Sequence, residues 1–446
     1  MSWYFPPTHA IGAVRIGKLA KFLMERQYDV RALAGRSNDL VHTLPLEIPA
    51  NHVAYAATID INRPHRFLQD AYRSIFGGGR TLAHGIGATS QSSAIPAPTV
   101  LRRMSDFYVK VTNFPDRYIG WLPPALIAAK RITSGWRPDL VYTSGPPFTA
   151  LLVGRAIARR NRVPWIAEFR DRWVDDPYYP LMSPKRLAAL ERRVVNDAAG
   201  IVTVSEPWAE LYRAKFGKPV ATIYNGFDPA DFADAGPAVP RAPSDELEII
   251  YTGAMYGERR DPTPLFQAIG LLGAQRNRVR VSFYGSAPDL VLPVAERCRM
   301  AGRVSVHPMV PYRQSIQIQR SADVLLLLQW NDPKEQGNCP AKLFEYLAVL
   351  RPILGIGLDN GVPATIIRQR QAGFFSNDPQ QIAAQLRHWL TQKQSQGHLP
   401  SLPSTVSNGL SRDVQFLRLE QFFLEVCGNL GAARPEASQA RLAEFS

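Results

Sequence analysis

Short apolar segments alternate with longer amphipathic segments along the first half of the chain. The apolar segments have the composition of buried strands, and they lie at 29–34, 52–58, 139–143, 163–167, 200–204 and 220–224. Between them, apolar residues recur at helical spacing, at 13–26, 146–161, 184–197 and 206–216. Such an alternation predicts βα units around a parallel sheet.

The second half of the chain begins the same alternation again. Strands are predicted near 247–252, 279–284, 303–307, 322–329, 352–356 and 372–375. Turn-forming residues interrupt the pattern at 229–245. The simplest arrangement is an α/β protein with two doubly wound domains, residues 1–232 and 233–410, followed by a helix at 411–428.

Some regions depart from the alternation. Residues 77–105 are rich in Gly, Ser and Ala and predict a long loop or an irregular insertion, whereas residues 393–410 predict a linker. Only about four residues precede Pro6-Pro7, fewer than the five or six of a typical strand. Either the first strand is a stub or the start of the protein lies upstream of Met1.

The composition is that of a globular protein with full-sized cores. The 446 residues are 46% hydrophobic and 20% charged. Cys298, Cys339 and Cys427 lack the spacing of metal ligands, which suits a reducing compartment. The sequence shows neither a run of about 18 apolar residues nor the basic and then apolar stretch of a signal peptide. We therefore expect a cytoplasmic protein without a membrane-spanning helix.

The net charge of +14 is unevenly distributed. Residues 1–232 carry 30 Lys and Arg against 19 Asp and Glu, or +11, and residues 233–446 carry 22 against 19, or +3. A basic first half indicates an anionic partner, which is a nucleic acid, an anionic membrane face or a phosphorylated substrate. A scattered basic surface that keeps the protein soluble explains the charge equally well.

The segment 340–354 carries the most informative pattern. Pro340 suits the first turn of a helix that ends before Arg351-Pro352. Lys342 and Glu345 are three residues apart and share one face near the helix N-terminus, which attracts phosphate. Just upstream, Gly337 and Asn338 can bring backbone amides close to a pyrophosphate. An exposed Lys–Glu pair on an ordinary helix is the alternative.

A second pattern lies at 251–269, where an apolar strand leads into Gly253, a short loop and a helix after Asp261-Pro262. Asp261 suits the N-cap of that helix. Arg259 and Arg260 project from the loop, where fixed cations can stabilise the charge of a leaving diphosphate. Two solvated surface arginines are the alternative.

These two segments resemble the donor site of family 4 glycosyltransferases, two-domain GT-B enzymes that use nucleotide-sugar donors. Segment 340–354 is similar to the second half of the family's donor signature, and Glu345 matches the glutamate that contacts the nucleotide ribose. The family often carries an acidic residue eight positions earlier, where this chain has Gly337. The resemblance implies that Arg259 and Lys342 act on the diphosphate, with Gly253, Arg260 and Asn338 in the donor site.

Further segments of the first half resemble the same family. Segment 2–23 is similar to its first glycine loop, with Gly12 at the donor phosphates and Arg15 toward the acceptor. Segment 164–179 completes a strand and then presents Glu168, Arg170 and Asp171, where open α/β sheets bind ligands. Asp171 is the candidate catalytic carboxylate, and Glu168 and Arg170 are candidate acceptor contacts. A structural ion pair between Arg170 and Asp171 is the alternative.

The resemblance, which also includes a hinge-like segment at 223–228, implies two Rossmann-like domains facing across a cleft, with the helix at 411–428 returning to the first domain. It implies a retaining glycosyltransferase that needs no metal and no cofactor, with a nucleotide-sugar donor and a lipid-linked or polysaccharide acceptor in cell-envelope glycan synthesis. A nucleotide-sugar 2-epimerase, a non-catalytic scaffold and a nucleic-acid-binding protein are the alternatives. No nucleic-acid-binding motif accompanies the charge.

One apolar stretch bears on the acceptor. Tyr118, Trp121, Leu122, Leu126 and Ile127 are flanked by the cations Arg117, Lys130 and Arg131. This pattern suits a helix at the interface of an anionic membrane, and such a peripheral location would bring a lipid-linked acceptor within reach. A helix buried in the protein core is the alternative.

Overall fold

The computed structural model describes residues 1–36, 40–63, 108, 112–174, 176, 183–236, 244–255 and 257–428. The predicted loop at 77–105 and the chain beyond residue 428 lie outside these residues. By the density of their contacts, residues Met1–Ile201 with Val426–Ser446 form one compact unit and Val202–Glu425 form a second. The domain limits 1–232 and 233–410 remain a prediction from the sequence.

The first sheet is built from the strands that the apolar segments predict. They are β1 (Ala32–Arg36), β2 (Val53–Ala57), β3 (Val141–Gly145), β4 (Trp165–Phe169), β5 (Gly200–Thr203) and β6 (Val220–Thr222). β1 pairs with β2, and β3 to β6 follow one another in sequence order. The division between the two units falls inside β5.

The chain start fills the gap between these two groups of strands. Ser2 forms parallel bridges to Ala34 in β1 and to Ser144 in β3. The amide of Ser2 donates to the carbonyl of Leu33, and Gly35 donates to the carbonyl of Trp3. The residues around Ser2 therefore join β1 to β3 in the manner of a short parallel strand.

The helices that accompany the first sheet follow the predicted pattern closely. They are α1 (Ile11–Glu25), α2 (Leu122–Ile132), α3 (Thr149–Asn161), α4 (Pro184–Val195) and α5 (Glu206–Phe216). α3 begins three residues later than predicted. Its first amide, at Thr149, donates to the carboxylate of Asp116 at 2.8 Å, so a distant residue caps the helix.

The second unit contains a six-stranded parallel sheet in the order β12-β11-β10-β7-β8-β9. Its strands are β7 (Leu247–Thr252), β8 (Val279–Tyr284), β9 (Val304–His307), β10 (Val324–Leu328), β11 (Ile353–Ile356) and β12 (Gly373–Phe375). β7 is followed on one side by β8 and β9, whereas β10 returns to its other side. The strand order therefore reverses between β7 and β10, the point where ligands bind in open α/β sheets.

Helices cover both faces of this sheet. They are α6 (Pro229–Asp234), α7 (Thr263–Gly270), α8 (Pro288–Arg297), α9 (Tyr312–Ser321), α10 (Ala341–Val349), α11 (Val362–Gln369) and α12 (Pro379–Gln396). A further helix, α13 (Arg412–Gly428), follows them in the chain. Alternate residues of β7 enter two separate cores. Ile249 and Tyr251 pack with Phe266, whereas Ile250 packs with Phe344.

Two local predictions are corrected by the structure. The proposed linker at 393–410 is partly helical, because α12 continues to Gln396 and a short 3₁₀ turn follows at Ser404–Ser407. The helix after Asp261 begins at Thr263 with Pro262 at the N-cap. Asp261 still satisfies the helix end, since its carboxylate accepts from the amide of Thr263 at 2.9 Å. Among the described residues, no helix has both the length and the apolarity that crossing a membrane requires.

A buried ion pair connects α12 to the residue that precedes the central strand β10. The ammonium group of Lys393, which is 2% exposed, donates to the carboxylate of Asp323 just before β10. The same carboxylate oxygen accepts from the amide of Glu248 at 2.8 Å. The pair thus joins one helix and two strands.

We expect Lys393→Met to destabilise the protein by about 3–5 kcal/mol, because it leaves the Asp323 carboxylate buried without its cation. Urea-induced unfolding monitored by fluorescence checks this. The double variant Lys393→Met/Asp323→Asn should recover part of the loss, and Lys185→Met, at an exposed position, serves as the control. An unfolding midpoint for Lys393→Met equal to that of the control would contradict this role.

Candidate functional site

One cluster of predicted site residues lies where β7 ends, at the reversal of strand order in the second unit. Gly253 follows the strand with a φ of +116°, a conformation that favours glycine. A Cβ atom at this position would lie 2.9 Å from the Nζ atom of Lys342. Because Gly253 has no side chain, the Lys342 ammonium group reaches the carbonyl of Thr252 at 2.7 Å. The structure therefore brings the predicted donor-site residues Gly253 and Lys342 together.

Two cations converge on one buried tyrosine beside this glycine. The Nζ atom of Lys342 lies 4.0 Å from the centre of the Tyr251 ring. Arg260 donates to the Tyr251 hydroxyl at 3.3 Å. Burial favours a raised pKa for Tyr251, but Lys342 and Arg260 outweigh it and the pKa is lowered. Burial lowers the pKa of Lys342, and Arg260 lowers it further against the opposing effect of Tyr251. This cluster carries excess positive charge and suits an anionic ligand.

The N-terminus of α10 adds to this positive potential. Pro340 occupies the N-cap position and no side chain caps the helix. Lys342 is the second residue of the helix, so its side chain and the first-turn amides lie at the same end. Helix N-termini bind phosphate through such amides and the helix dipole.

Glu345 lies one turn further along α10. The hydroxyl of Tyr312, at the start of α9, donates to its carboxylate at 3.2 Å. Burial raises the pKa of Glu345, and Tyr312, Gln319, Arg412 and Lys342 only partly offset this effect. A carboxylate with one oxygen held by a tyrosine keeps lone pairs for further hydrogen-bond donors.

A hydrogen-bond network around Thr252 connects these groups, and no sequence pattern predicts it. The hydroxyl of Tyr346 contacts both the amide and the hydroxyl of Thr252 at 3.2 Å. The buried amide group of Gln319 donates to the Thr252 hydroxyl at 3.2 Å. Tyr251 lies near the end of β7 and Tyr312 begins α9, so their positions are the one signal in the sequence for them; Tyr346 lies inside α10 beside Glu345.

Arg259 and Arg260, which are equivalent candidates in the sequence, have different partners in the structure. The guanidinium group of Arg259 lies over the indole ring of Trp330 at 4.7 Å. Lys334 lies over the same ring at 5.8 Å. Arg260 is therefore the arginine that shares a tyrosine with Lys342. The catalytic role assigned to Arg259 stays a prediction.

The structure gives a reason for glycine at position 337. Gly337 has a φ of +87°, and a Cβ atom there would lie 2.2 Å from the indole ring of Trp208. The indole N–H of Trp208 donates to the carbonyl of Gln336 at 2.9 Å. The neighbouring Asn338 donates its side-chain amide to the buried carboxylate of Glu335. An acidic side chain at position 337 would therefore collide with Trp208, and the nearby carboxylate is already bonded to Asn338.

A separate cluster of predicted site residues lies in the first unit, beside β3 and β4. Arg15 and Glu168 form a buried ion pair at 2.8 Å, with side chains 3% and 0% exposed. Burial favours a lower pKa for Arg15, but Glu168 outweighs it and the pKa is raised. Burial likewise favours a higher pKa for Glu168, yet Arg15 lowers it. The Glu168 carboxylate therefore contributes stability at neutral pH that is lost as the pH falls through its folded-state pKa.

This burial changes the meaning of the predicted acceptor contacts. Arg15 joins α1 to Glu168 at the end of β4. Because the Arg15 and Glu168 side chains are buried, they act by holding neighbouring residues in place. Their direct contact with an acceptor, expected from the sequence, stays a prediction that their burial does not favour.

Arg170 and Gly12 pack directly on each other. A Cβ atom at Gly12 would lie 1.9 Å from the guanidinium group of Arg170, which donates to the carbonyl of Pro146. Asp171 follows, and burial raises the pKa of its carboxyl while Arg170 opposes this effect. Gly12 lies in the first turn of α1 rather than in the glycine loop before the helix that the sequence predicts, and this turn meets the segment that follows β4. In the part of the chain that the structure describes, no group of three or more His, Cys, Asp or Glu residues forms a potential metal site.

Comparisons with known proteins agree with this architecture. Residues 12–226 match the glycosyl transferase 4-like domain family. HepE from Anabaena in complex with UDP-glucose is 13% identical, with a TM-score of 0.56 over 95% of this chain and 98% of that one. Sucrose-phosphate synthase from Thermosynechococcus elongatus is 13% identical, with a TM-score of 0.56 over 94% of each chain. A glycosyltransferase from Rickettsia africae is 11% identical, with a TM-score of 0.55 over 96% and 98%.

A comparison with curated protein sequences gives no significant match. At identities of 11–13%, the structural likeness concerns the fold. It confirms the predicted α/β architecture of GT-B type with Rossmann-like parallel sheets. The domain match confirms the predicted resemblance to family 4 glycosyltransferases, and the predicted enzyme class with it.

We expect Gly337→Asp to destabilise the protein by roughly 1–3 kcal/mol, because the new side chain strains a left-handed backbone and collides with Trp208. Thermal unfolding measures the loss. Gly270→Asp is the matched control, since a Cβ atom there meets no neighbour within 4 Å. Adding Trp208→Ala should relieve the collision but keep the backbone strain. A Gly337→Asp variant as stable as the control would show that the indole does not exclude an acidic residue.

Proposed function

Because residues 12–226 are a glycosyl transferase 4-like domain and the fold is that of GT-B glycosyltransferases, we propose that this enzyme transfers a sugar from a nucleotide-sugar donor. The observation that carries the proposal is the convergence of Lys342 and Arg260 on Tyr251 beside the uncapped N-terminus of α10. This arrangement fits a nucleoside diphosphate.

The charge of the cluster matches the chemistry of a leaving diphosphate. When the bond between the sugar and the diphosphate breaks, negative charge develops on the departing oxygen. Two fixed cations and a helix N-terminus stabilise that charge most strongly where burial excludes water. Arg260 can hold two oxygens with its planar group, and Lys342 acts as a point charge. These charges are already held in place before the donor binds, so no free energy is spent on arranging them during the reaction and the barrier is lower.

Glu345 fits the role of a ribose contact. Its carboxylate lies one helical turn beyond Lys342, about 5 Å along the axis, which matches the offset between a diphosphate and its ribose. The Tyr312 hydroxyl orients one oxygen, so the remaining lone pairs can accept from the ribose hydroxyls. HepE, whose fold is similar, forms a complex with UDP-glucose, and this supports a UDP-sugar as the first donor to test.

We further propose that transfer retains the anomeric configuration and needs no metal ion. The cations Lys342 and Arg260 can neutralise the diphosphate, a task that a metal ion performs in other sites. In the first unit, the candidates for positioning the acceptor hydroxyl are Arg170, which packs on Gly12 near the buried Arg15–Glu168 pair, and the adjacent Asp171.

The decisive experiment measures donor binding with and without EDTA. Thermal shifts with UDP-, GDP-, ADP- and CDP-sugars should identify one nucleotide class, and EDTA should leave the shift unchanged. Lys342→Met should weaken that binding about tenfold or more, since it removes a charged contact worth about 1.5–3 kcal/mol. Lys334→Met is the matched control, because Lys334 lies over Trp330 rather than Tyr251.

Two results would contradict the proposed function. One is the absence of any nucleotide-dependent shift in the unmodified protein. The other is equal donor affinity in Lys342→Met and Lys334→Met. If transfer is observed, the anomeric configuration of the product, determined by NMR, tests retention. Free sugar released without an acceptor would favour an epimerase instead.

We propose that the acceptor is a lipid-linked or polysaccharide glycan of the cell envelope, reached from the inner face of the membrane. The surface of α2 supports a lipid-linked acceptor. Leu126 and Ile127 are 37% and 58% exposed, and the exposed cations Lys130 and Arg131 follow them. Trp121, in contrast, is fully buried, so only the later part of the apolar stretch is available to a membrane.

We expect the protein to bind vesicles containing phosphatidylglycerol and not vesicles of phosphatidylcholine alone. Lys130→Gln/Arg131→Gln should weaken this binding about 30-fold, because each cation near an anionic surface contributes about 1 kcal/mol. Vesicle co-sedimentation measures the effect, with Lys185→Gln/Arg186→Gln on α4 as the control of equal charge. Equal losses in both variants would indicate a diffuse charge effect, and no vesicle binding at all would refute a membrane-bound acceptor.

A further inference from the structure

Tyr251 occupies a position that the proposed diphosphate site does not explain by itself. The residue is fully buried in β7, yet its hydroxyl reaches the loop that follows the strand. It donates to the carbonyl of Ala254 at 3.0 Å and accepts from Arg260 at 3.3 Å. Its ring lies under the ammonium group of Lys342 at 4.0 Å. One side chain therefore contacts the glycine loop, the loop arginine and the helix lysine.

The two cations would otherwise repel each other. Bringing two like charges close together in a partly buried place raises the free energy of the folded protein, unless a polarisable or anionic group lies between them. The ring face of a tyrosine attracts the ammonium group, and its hydroxyl oxygen accepts from the guanidinium group. Tyr251 supplies both contacts from opposite parts of one rigid side chain, which fixes the spacing of the cations before any ligand binds.

On the basis of the proposed function, we propose that Tyr251 is a positioning residue. It holds Lys342 and Arg260 so that both cations can contact the two phosphate groups of one diphosphate. The residue acts through the two cations and makes no bond to the sugar. Its contribution to binding should therefore depend on Arg260 being present. It should also be specific for ligands with two linked phosphate groups.

The charge balance of the cluster supports this role. The lowered pKa of Tyr251 arises from Lys342 on α10 and Arg260 in the loop before α7. Tyr346, also on α10, faces it as a further titratable group, and Phe283 of β8 packs against its ring. A bound diphosphate neutralises the two cations, so ligand binding should raise the pKa of Tyr251. By linkage, diphosphate affinity should fall at alkaline pH as Tyr251 ionises and competes for the same cations.

The first test is a double-mutant cycle with inorganic pyrophosphate as the probe, measured by calorimetry. Tyr251→Phe keeps the ring under Lys342 but removes the hydroxyl, and should weaken pyrophosphate binding about tenfold. Arg260→Gln should weaken it by a similar factor. If Tyr251 acts through Arg260, the double variant should bind about as well as Arg260→Gln alone. Tyr212→Phe, which removes a buried hydroxyl on α5 away from the cluster, should leave pyrophosphate affinity nearly unchanged.

The second test is the ultraviolet titration of tyrosine ionisation in the unmodified protein. The unmodified protein should show an early tyrosine ionisation that is missing from Tyr251→Phe. Saturating pyrophosphate should shift this ionisation to a higher pH. This readout does not depend on catalytic activity, and a residue with a merely structural role would not respond to the ligand.

The outcomes separate this inference from the proposed function. Failure of the unmodified protein to bind pyrophosphate and nucleoside diphosphates overturns both. Normal binding with an unaffected Tyr251→Phe variant, or with additive effects of the two substitutions, overturns the positioning role alone. An early-ionising tyrosine that does not respond to pyrophosphate also overturns it.

Discussion

The order of the strands reverses once in each parallel sheet, and the positions of the predicted site residues follow from that reversal. In the second unit β8 lies on one side of β7 and β10 on the other. In the first sheet β1 and β3 lie on either side of Ser2. Loops that leave neighbouring strands at such a point must diverge, and the space between them is open to a ligand. Both clusters of predicted site residues lie at these points.

Charge in the second unit is concentrated at the reversal. Lys342 and Arg260 both lie close enough to Tyr251 to lower its pKa. The N-terminus of α10, which no side chain caps, lies beside them. Such an arrangement is costly without an anion, so it favours one when present. The first unit shows the opposite balance, because Arg15 and Glu168 neutralise each other in a buried pair that can fix its surroundings.

Close packing explains two glycines that sequence comparison alone would treat differently. Gly12 leaves room for the guanidinium group of Arg170, and Gly337 leaves room for the indole ring of Trp208. The first glycine matches the family pattern, whereas the second replaces an acidic residue that the family often carries. Both follow from the same physical requirement, which is that a planar side chain lies where a Cβ atom would be.

The sequence was sufficient to predict the strands, most of the helices and the parallel α/β class. These depend on apolar periodicity and on turn residues, which are local properties of the chain. It also indicated Gly253, Lys342 and Glu345, because their spacing sets them at one end of one helix and one strand. Three contacts are visible in the folded protein alone: Arg260 rather than Arg259 shares a tyrosine with Lys342, Arg15 and Glu168 are buried together, and Tyr251 contacts both cations. Those contacts join residues far apart in the chain, such as Tyr251 and Lys342, and the partner of a side chain across such a distance depends on packing that no local pattern encodes.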